Sequence, residues 1–152
     1  MLQPKLIIAD ESVSMLDVST RSEILGLMLK LRDDFGLSFL YIPHDLATAR
    51  YVCDRIAIMY LGKIVEMGEV DSVLQKPLHP YTKALIAAVP VPDPKEKRGE
   101  ITIKGEVSLS PIHLPQGCRF HLRCPQATEK CGREEPQLIP VGHDRYVACL
   151  AS

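Results

Sequence analysis

The chain has 152 residues, room for one ordinary domain or one and a half small ones. Its formal net charge of −1, with both signs well mixed, excludes the one-signed electrostatic footprint of a nucleic-acid binder or of a protein that rides an acidic membrane surface. No apolar run approaches the roughly 20 residues that a membrane-spanning helix needs. Met1-Leu2-Gln3-Pro4 leads straight into a strand pattern without a signal peptide, so a soluble, cytoplasmic chain is expected.

The first informative stretch is KLIIADESVSMLD, residues 5–17. Leu6-Ile7-Ile8-Ala9 is a short apolar run without alternation, which predicts a strand buried on both faces, as in the middle of a parallel sheet. It ends in adjacent carboxylates, Asp10 and Glu11. Open α/β sheets bind ligands just beyond the carboxyl ends of their strands. An isolated acidic pair there would be a helix cap. In a phosphate site, one carboxylate can serve Mg²⁺ and a second can orient water.

Residues 18–35 carry a helical pattern, with Asp17 or Ser19 as N-cap and Ile24, Leu25, Met28, Leu31 and Phe35 forming an apolar face. Gly36 ends it at the C′ position. Residues 37–42 form a second apolar strand, giving a right-handed β-α-β unit with parallel strands. That topology puts His44 on the same sheet edge as Glu11. A short helix at 45–51, strands at 55–60 and 63–67 with a turn at Leu61-Gly62, and a short helix at 69–75 follow. LHPYTKALIAAVP then starts a helix at Pro80, with Tyr81, Leu85 and Ala88 expected to face inward and His79 expected to be structural.

The composition changes at Pro90, where VPVPDPKEKRGE reads as a linker, and a boundary near Val91 divides the chain into 1–90 and 91–152. GEITIKGEV suggests one or two short strands. Beyond it, Cys118, Cys124, Cys131 and Cys149 are spaced C-x5-C-x6-C-x17-C. The segment is poor in apolar residues and rich in proline, and pieces of this size commonly need a staple. In a cytoplasmic chain metal is favoured over disulfides. The gaps are long for zinc knuckles, and iron–sulfur clusters also take four thiolates, so the spacing leaves the two open.

LIIADESVSMLDVST resembles the Walker B strand and D-loop of ABC-type ATPases, keeping Ser14, Leu16 and Asp17 while Ser12 and Met15 depart from the family's usual proline and alanine. Thirty-three residues past Glu11, FLYIPHDLA resembles the switch-histidine segment, with His44 in place and Pro43 where the family usually has threonine. No G-x-x-x-x-G-K-[ST] loop and no Leu-Ser-Gly-Gly-Gln signature is present. HPYTKAL and GCRFHLRCPQATEKC with its distant fourth cysteine resemble the C-terminal extension of oligopeptide and dipeptide importer ATPases.

The resemblance implies an α/β fold, the C-terminal half of a partial parallel-sheet P-loop-type nucleotide-binding domain carrying a small Cys-rich extension. It implies ATP with Mg²⁺ in the full-length context, Glu11 and His44 as catalytic residues, and Asp10 and Asp17 as cofactor-binding ones. It also implies a [4Fe-4S] cluster, or alternatively zinc, on Cys118, Cys124, Cys131 and Cys149. The implied partners are a second ATP-binding subunit, as a homo- or heterodimer, and the membrane permease subunits of a peptide importer, at the inner face of the cell membrane. No nucleic-acid partner is expected. The alternative is a non-catalytic metal- or iron–sulfur-binding and dimerisation module left by truncation. Without a phosphate loop, the chain alone is not expected to bind or hydrolyse ATP.

Overall fold

The computed structural model describes residues 4–13, 15–89, 103 and 114–151. They fall into two compact units, Met1–Asp54 and Arg55–Ser152. The first unit holds β1 (Leu6–Asp10), α1 (Val18–Phe35), β2 (Ser38–Ile42) and α2 (Leu46–Val52). Asp17 caps α1, its carboxylate accepting from the Thr20 amide at 3.0 Å. Gly36 closes the helix in the left-handed region (φ 62°), its amide donating to the Arg32 carbonyl. A side chain there would be strained, which is why glycine ends this helix.

β1 and β2 pair in parallel, with Leu6 opposite Ser38 and Asp10 opposite Ile42, as the β-α-β reading expects. The expectation of burial on both faces is corrected. Side chains alternate across a strand, and the face carrying Leu6 (55% exposed), Ile8 (63%), Leu40 and Ile42 is open to solvent. With only two strands in this sheet, the second apolar face has no layer over it among the described residues of this unit. The expected apolar face of α1 is corrected for the same reason: only Leu25 is buried, while Ile24 and Phe35 are exposed.

The second unit contains β3 (Arg55–Tyr60), β4 (Lys63–Glu69), α3 (Val70–Gln75), α4 (Pro80–Ala87), a 3-10 turn at Glu129–Gly132, β5 (Ile139–Gly142) and β6 (Arg145–Val147). The sheet order is β3-β4-β6-β5, all antiparallel. Leu61 (φ 45°) and Gly62 (φ 80°) form the two-residue turn of the first hairpin, both in the positive-φ region that suits the strands' twist. β4 runs two residues beyond the expected end at Met67, through Gly68 to Glu69. α4 begins at Pro80 as expected, but it buries Pro80, Thr82 and Ala84, and Ala88 is exposed. The boundary expected near Val91 lies outside the described residues. So do the strands expected in GEITIKGEV, of which only Ile103 is described. On either side of that gap, β4 and β6 share a sheet, with Glu66 opposite Val147.

Glu66 is fully buried. Its carboxylate accepts from the backbone amides of Leu78 (3.0 Å) and His79 (2.9 Å) and from the Arg145 guanidinium (2.7 Å). A buried charge is tolerated when paired and hydrogen-bonded in this way, and deleting one member strands the other. Glu66→Ala should therefore destabilise the second unit by about 3–5 kcal/mol, read from urea unfolding.

His79 is buried and caps α4, its Nδ1 accepting from the Tyr81 amide at 3.0 Å. Burial lowers its pKa from 6.5 to about 4, against the opposing pull of the Glu66 carboxylate. Because the folded pKa is depressed, His79 stabilises the folded state fully above pH 6.5, and that contribution is lost as pH falls towards about 4. The unfolding midpoint should drop across this window, and His79→Asn, which keeps a capping side chain, should flatten that part of the profile.

Candidate functional site

Glu11 is the first residue past β1, with φ 49°, and its amide donates to the Ile42 carbonyl at 3.1 Å. That bond ties the exit of β1 to the exit of β2. His44 follows two residues after β2, and its Nε2 lies 2.9 Å from Glu11 Oε2. The carboxylate and the imidazole predicted to share an edge are thus in direct contact. Beside them is a cavity of about 140 Å³ lined by Glu11, Val13, Arg21, Tyr41, Pro43, His44, Asp45 and Thr48.

Strand alternation separates the acidic pair. Asp10 projects with Leu6 and Ile8 on the open face and is not among the cavity's lining residues. Asp17 is occupied as the α1 cap, accepting also from Thr20 Oγ1 at 2.7 Å, and the Thr20 amide and hydroxyl hold its carboxyl below the usual range. Asp45 caps α2 through the Ala47 amide at 2.8 Å and so fixes the backbone next to His44.

Sequence reasoning missed Arg21. From the first turn of α1 it donates to the Leu16 carbonyl at 3.2 Å, bracing the loop between Glu11 and Asp17, and it lines the cavity. Its Nε is buried without a hydrogen-bond partner among the described residues. A lone arginine three residues into a helix pattern carries no periodicity signal, and only its position across the loop reveals it.

The Glu11 and His44 side chains are 54% and 64% exposed. Ion pairs exposed to this degree contribute little to folding, typically under about 1 kcal/mol. Glu11→Gln and His44→Ala should each shift the unfolding free energy by less than about 0.5 kcal/mol, measured on the full chain by urea titration.

Three of the four cysteines of the C-terminal segment, Cys118, Cys124 and Cys131, are linked through backbone hydrogen bonds. The Cys118 amide donates to the Cys131 carbonyl at 2.8 Å, and successive turns carry the chain through His121 to Cys124. Gly117 (φ 69°) makes this possible, because a Cβ there would lie 2.4 Å from the Cys131 carbonyl oxygen. Burial pushes the Cys118 thiol up, and charge on Cys131, Cys149 and Cys124 pushes it the same way. No cysteine is in a disulfide. Among the described residues, however, no group of three or more His, Cys, Asp or Glu is arranged to hold a metal ion. The thiols share a neighbourhood but, as arranged, are not a ligand set, so this arrangement lends no support to the expected zinc or iron–sulfur centre.

Residues 65–131 match the family described as oligopeptide/dipeptide transporter, C-terminal region. Over 97% of its length the chain is 51% identical to a probable peptide ABC transporter ATP-binding protein, y4tS, of Sinorhizobium fredii, covering 42% of that protein. It is 48% identical over 98% of its length to the oligopeptide transport ATP-binding protein OppF of Salmonella typhimurium, covering 45% of it. A solved structure of cbiO1 from Clostridium perfringens, part of the ABC transporter complex cbiONQ, is 27% identical, with a TM-score of 0.46 over 49% of this chain and 30% of that one. In class, the chain is similar over nearly its whole length to ABC transporter ATP-binding proteins. The similarity is to the peptide and oligopeptide branch, whose C-terminal region residues 65–131 match, and the chain spans a little under half the length of the curated relatives it matches.

Proposed function

We propose that this chain is the C-terminal portion of the ATP-hydrolysing subunit of a peptide importer. The observation that carries the reading is the 2.9 Å contact between Glu11 and His44 at the common exit of two parallel strands. Glu11 accepts a hydrogen bond from the attacking water and so polarises it. His44 donates to the γ-phosphate and stabilises the charge that develops there. Asp10 holds Mg²⁺ through water, and when bound the ion neutralises phosphate charge. Asp17 faces the second ATP-binding subunit of a homo- or heterodimer, which sits under membrane permease subunits at the inner face of the membrane. The phosphate cradle comes from sequence this chain does not contain.

In this reading, His44 leaves Glu11 when nucleotide arrives, because one imidazole N–H cannot serve carboxylate and phosphate fully at once. Supplied with the missing half, Glu11→Gln should retain ATP binding and lose about 10²-fold or more in turnover, measured by phosphate release. Unchanged turnover would remove Glu11 from the mechanism. The chain alone, titrated with a fluorescent ATP analogue and Mg²⁺, should show no micromolar binding.

For the thiols, the proposal is that Cys118, Cys124, Cys131 and Cys149 are the donors a metal centre would use after closing towards one another. The absorption spectrum and elemental analysis of anaerobically purified protein separate iron–sulfur from zinc. Protein lacking both under those conditions would leave the second reading, a metal- or cluster-binding module, without support.

A further inference from the structure

The cysteine-rich segment is seated on the second unit by contacts that involve no thiol. Phe120, two residues past Cys118, is 1% exposed. Its ring centroid lies 5.2 Å from Tyr60, edge-on, 5.4 Å from Tyr81 and 5.9 Å from His79. Tyr60 comes from β3, while His79 and Tyr81 open α4, so one aromatic residue of the extension is enclosed by two elements from before the Pro90 linker. A fully buried aromatic side chain is among the larger single apolar contributions a small fold can have. Arg119 reaches the Leu61 carbonyl at the β3–β4 turn. At the other end of the extension, Arg145 closes the buried pair with Glu66, β6 pairs with β4, and Val147 is fully buried.

We propose that the extension is docked by Phe120 and by the Glu66–Arg145 pair, whether or not its thiols carry metal. Small metal sites commonly couple binding to folding, so that removing the ion unfolds the domain. Here the anchors are not thiols and lie between them in sequence, Phe120 just after Cys118 and Arg145 just before Cys149. Loading and unloading of Cys118, Cys124, Cys131 and Cys149 is then a local rearrangement around the thiols themselves, in residues 117–132 and at Cys149, on a fold that stays in place. A soft metal or cluster can be lost and regained without releasing α4 or β6. This inference concerns the second unit alone and does not depend on the ATPase reading.

Arg119 and Arg123 flank Phe120 and provide built-in reporters, since trypsin cleaves after them only when the segment leaves its seat. The test compares tryptic cleavage at these bonds in the full chain, freed of metal by chelation and verified by elemental analysis, with three variants. The combined Cys118→Ser, Cys124→Ser, Cys131→Ala, Cys149→Ser variant should be cut within about twofold of the metal-free parent. Phe120→Ala should be cut about tenfold faster or more, and Phe120→Leu, which keeps an apolar anchor, should fall between. If the thiol-free variant or the metal-free parent is cut as fast as urea-unfolded chain, the thiols are the staple and the proposal is wrong. It is equally wrong if Phe120→Ala is as resistant as the parent.

Discussion

The second unit depends on one carboxylate that has no access to water. Glu66 sits mid-strand on β4, where a lone charge would be expelled or neutralised at a cost of several kcal/mol. It is retained because three donors from two distant segments converge on it: the amides that open α4 and the guanidinium that opens β6. The His79 amide, at the N-cap of α4, has no intrahelical partner, and the Arg145 guanidinium, which also reaches Ser72 Oγ and the Lys76 carbonyl, is nearly buried on a short strand. Satisfying Glu66 therefore decides where α4 starts and where the C-terminal segment enters the sheet. The aromatic packing of Phe120 against Tyr60, His79 and Tyr81 occupies the space that this convergence defines.

The first unit is organised differently. Its geometry rests on register: because β1 and β2 run parallel with Asp10 opposite Ile42, residues just past each strand emerge at one edge. Glu11 and His44 meet there with both side chains half-exposed. An exposed contact of this kind is weak as a stabiliser and easily exchanged for another partner, which is what the proposed phosphate site requires.

Much of this was legible in the sequence, and the failures have physical causes. The presence and starting points of α1, β3, β4 and α4, the Asp17 and Gly36 caps and the shared edge of Glu11 and His44 follow from local patterns, although the buried faces of α1 and α4 do not. Burial was misjudged where the pattern presumed neighbours that two strands do not supply, as for Leu6 and Ile8. β5 and β6 escaped notice because four and three residues, one of them Pro140, hold too little periodicity to register. The cysteine spacing drew attention to the thiols of this segment, but it could not show that Phe120 would be enclosed by residues some forty to sixty positions upstream. Glu66 carried no distinguishing signal in the sequence, and only its convergent donors explain its burial.

The open face of β1 and β2 has a consequence for handling the polypeptide. Leu6, Ile8, Leu40 and Ile42 form a continuous oily strip beside two strand edges that pair with no further strand among the described residues. Such a surface invites like copies to stack and zip. In concentrated solution the chain's lifetime is then governed by collisions between molecules rather than by the intrinsic opening of any one of them. Dilution, or a companion polypeptide that shields the strip, should preserve it better than cooling, because hydrophobic stabilisation of the fold itself weakens in the cold.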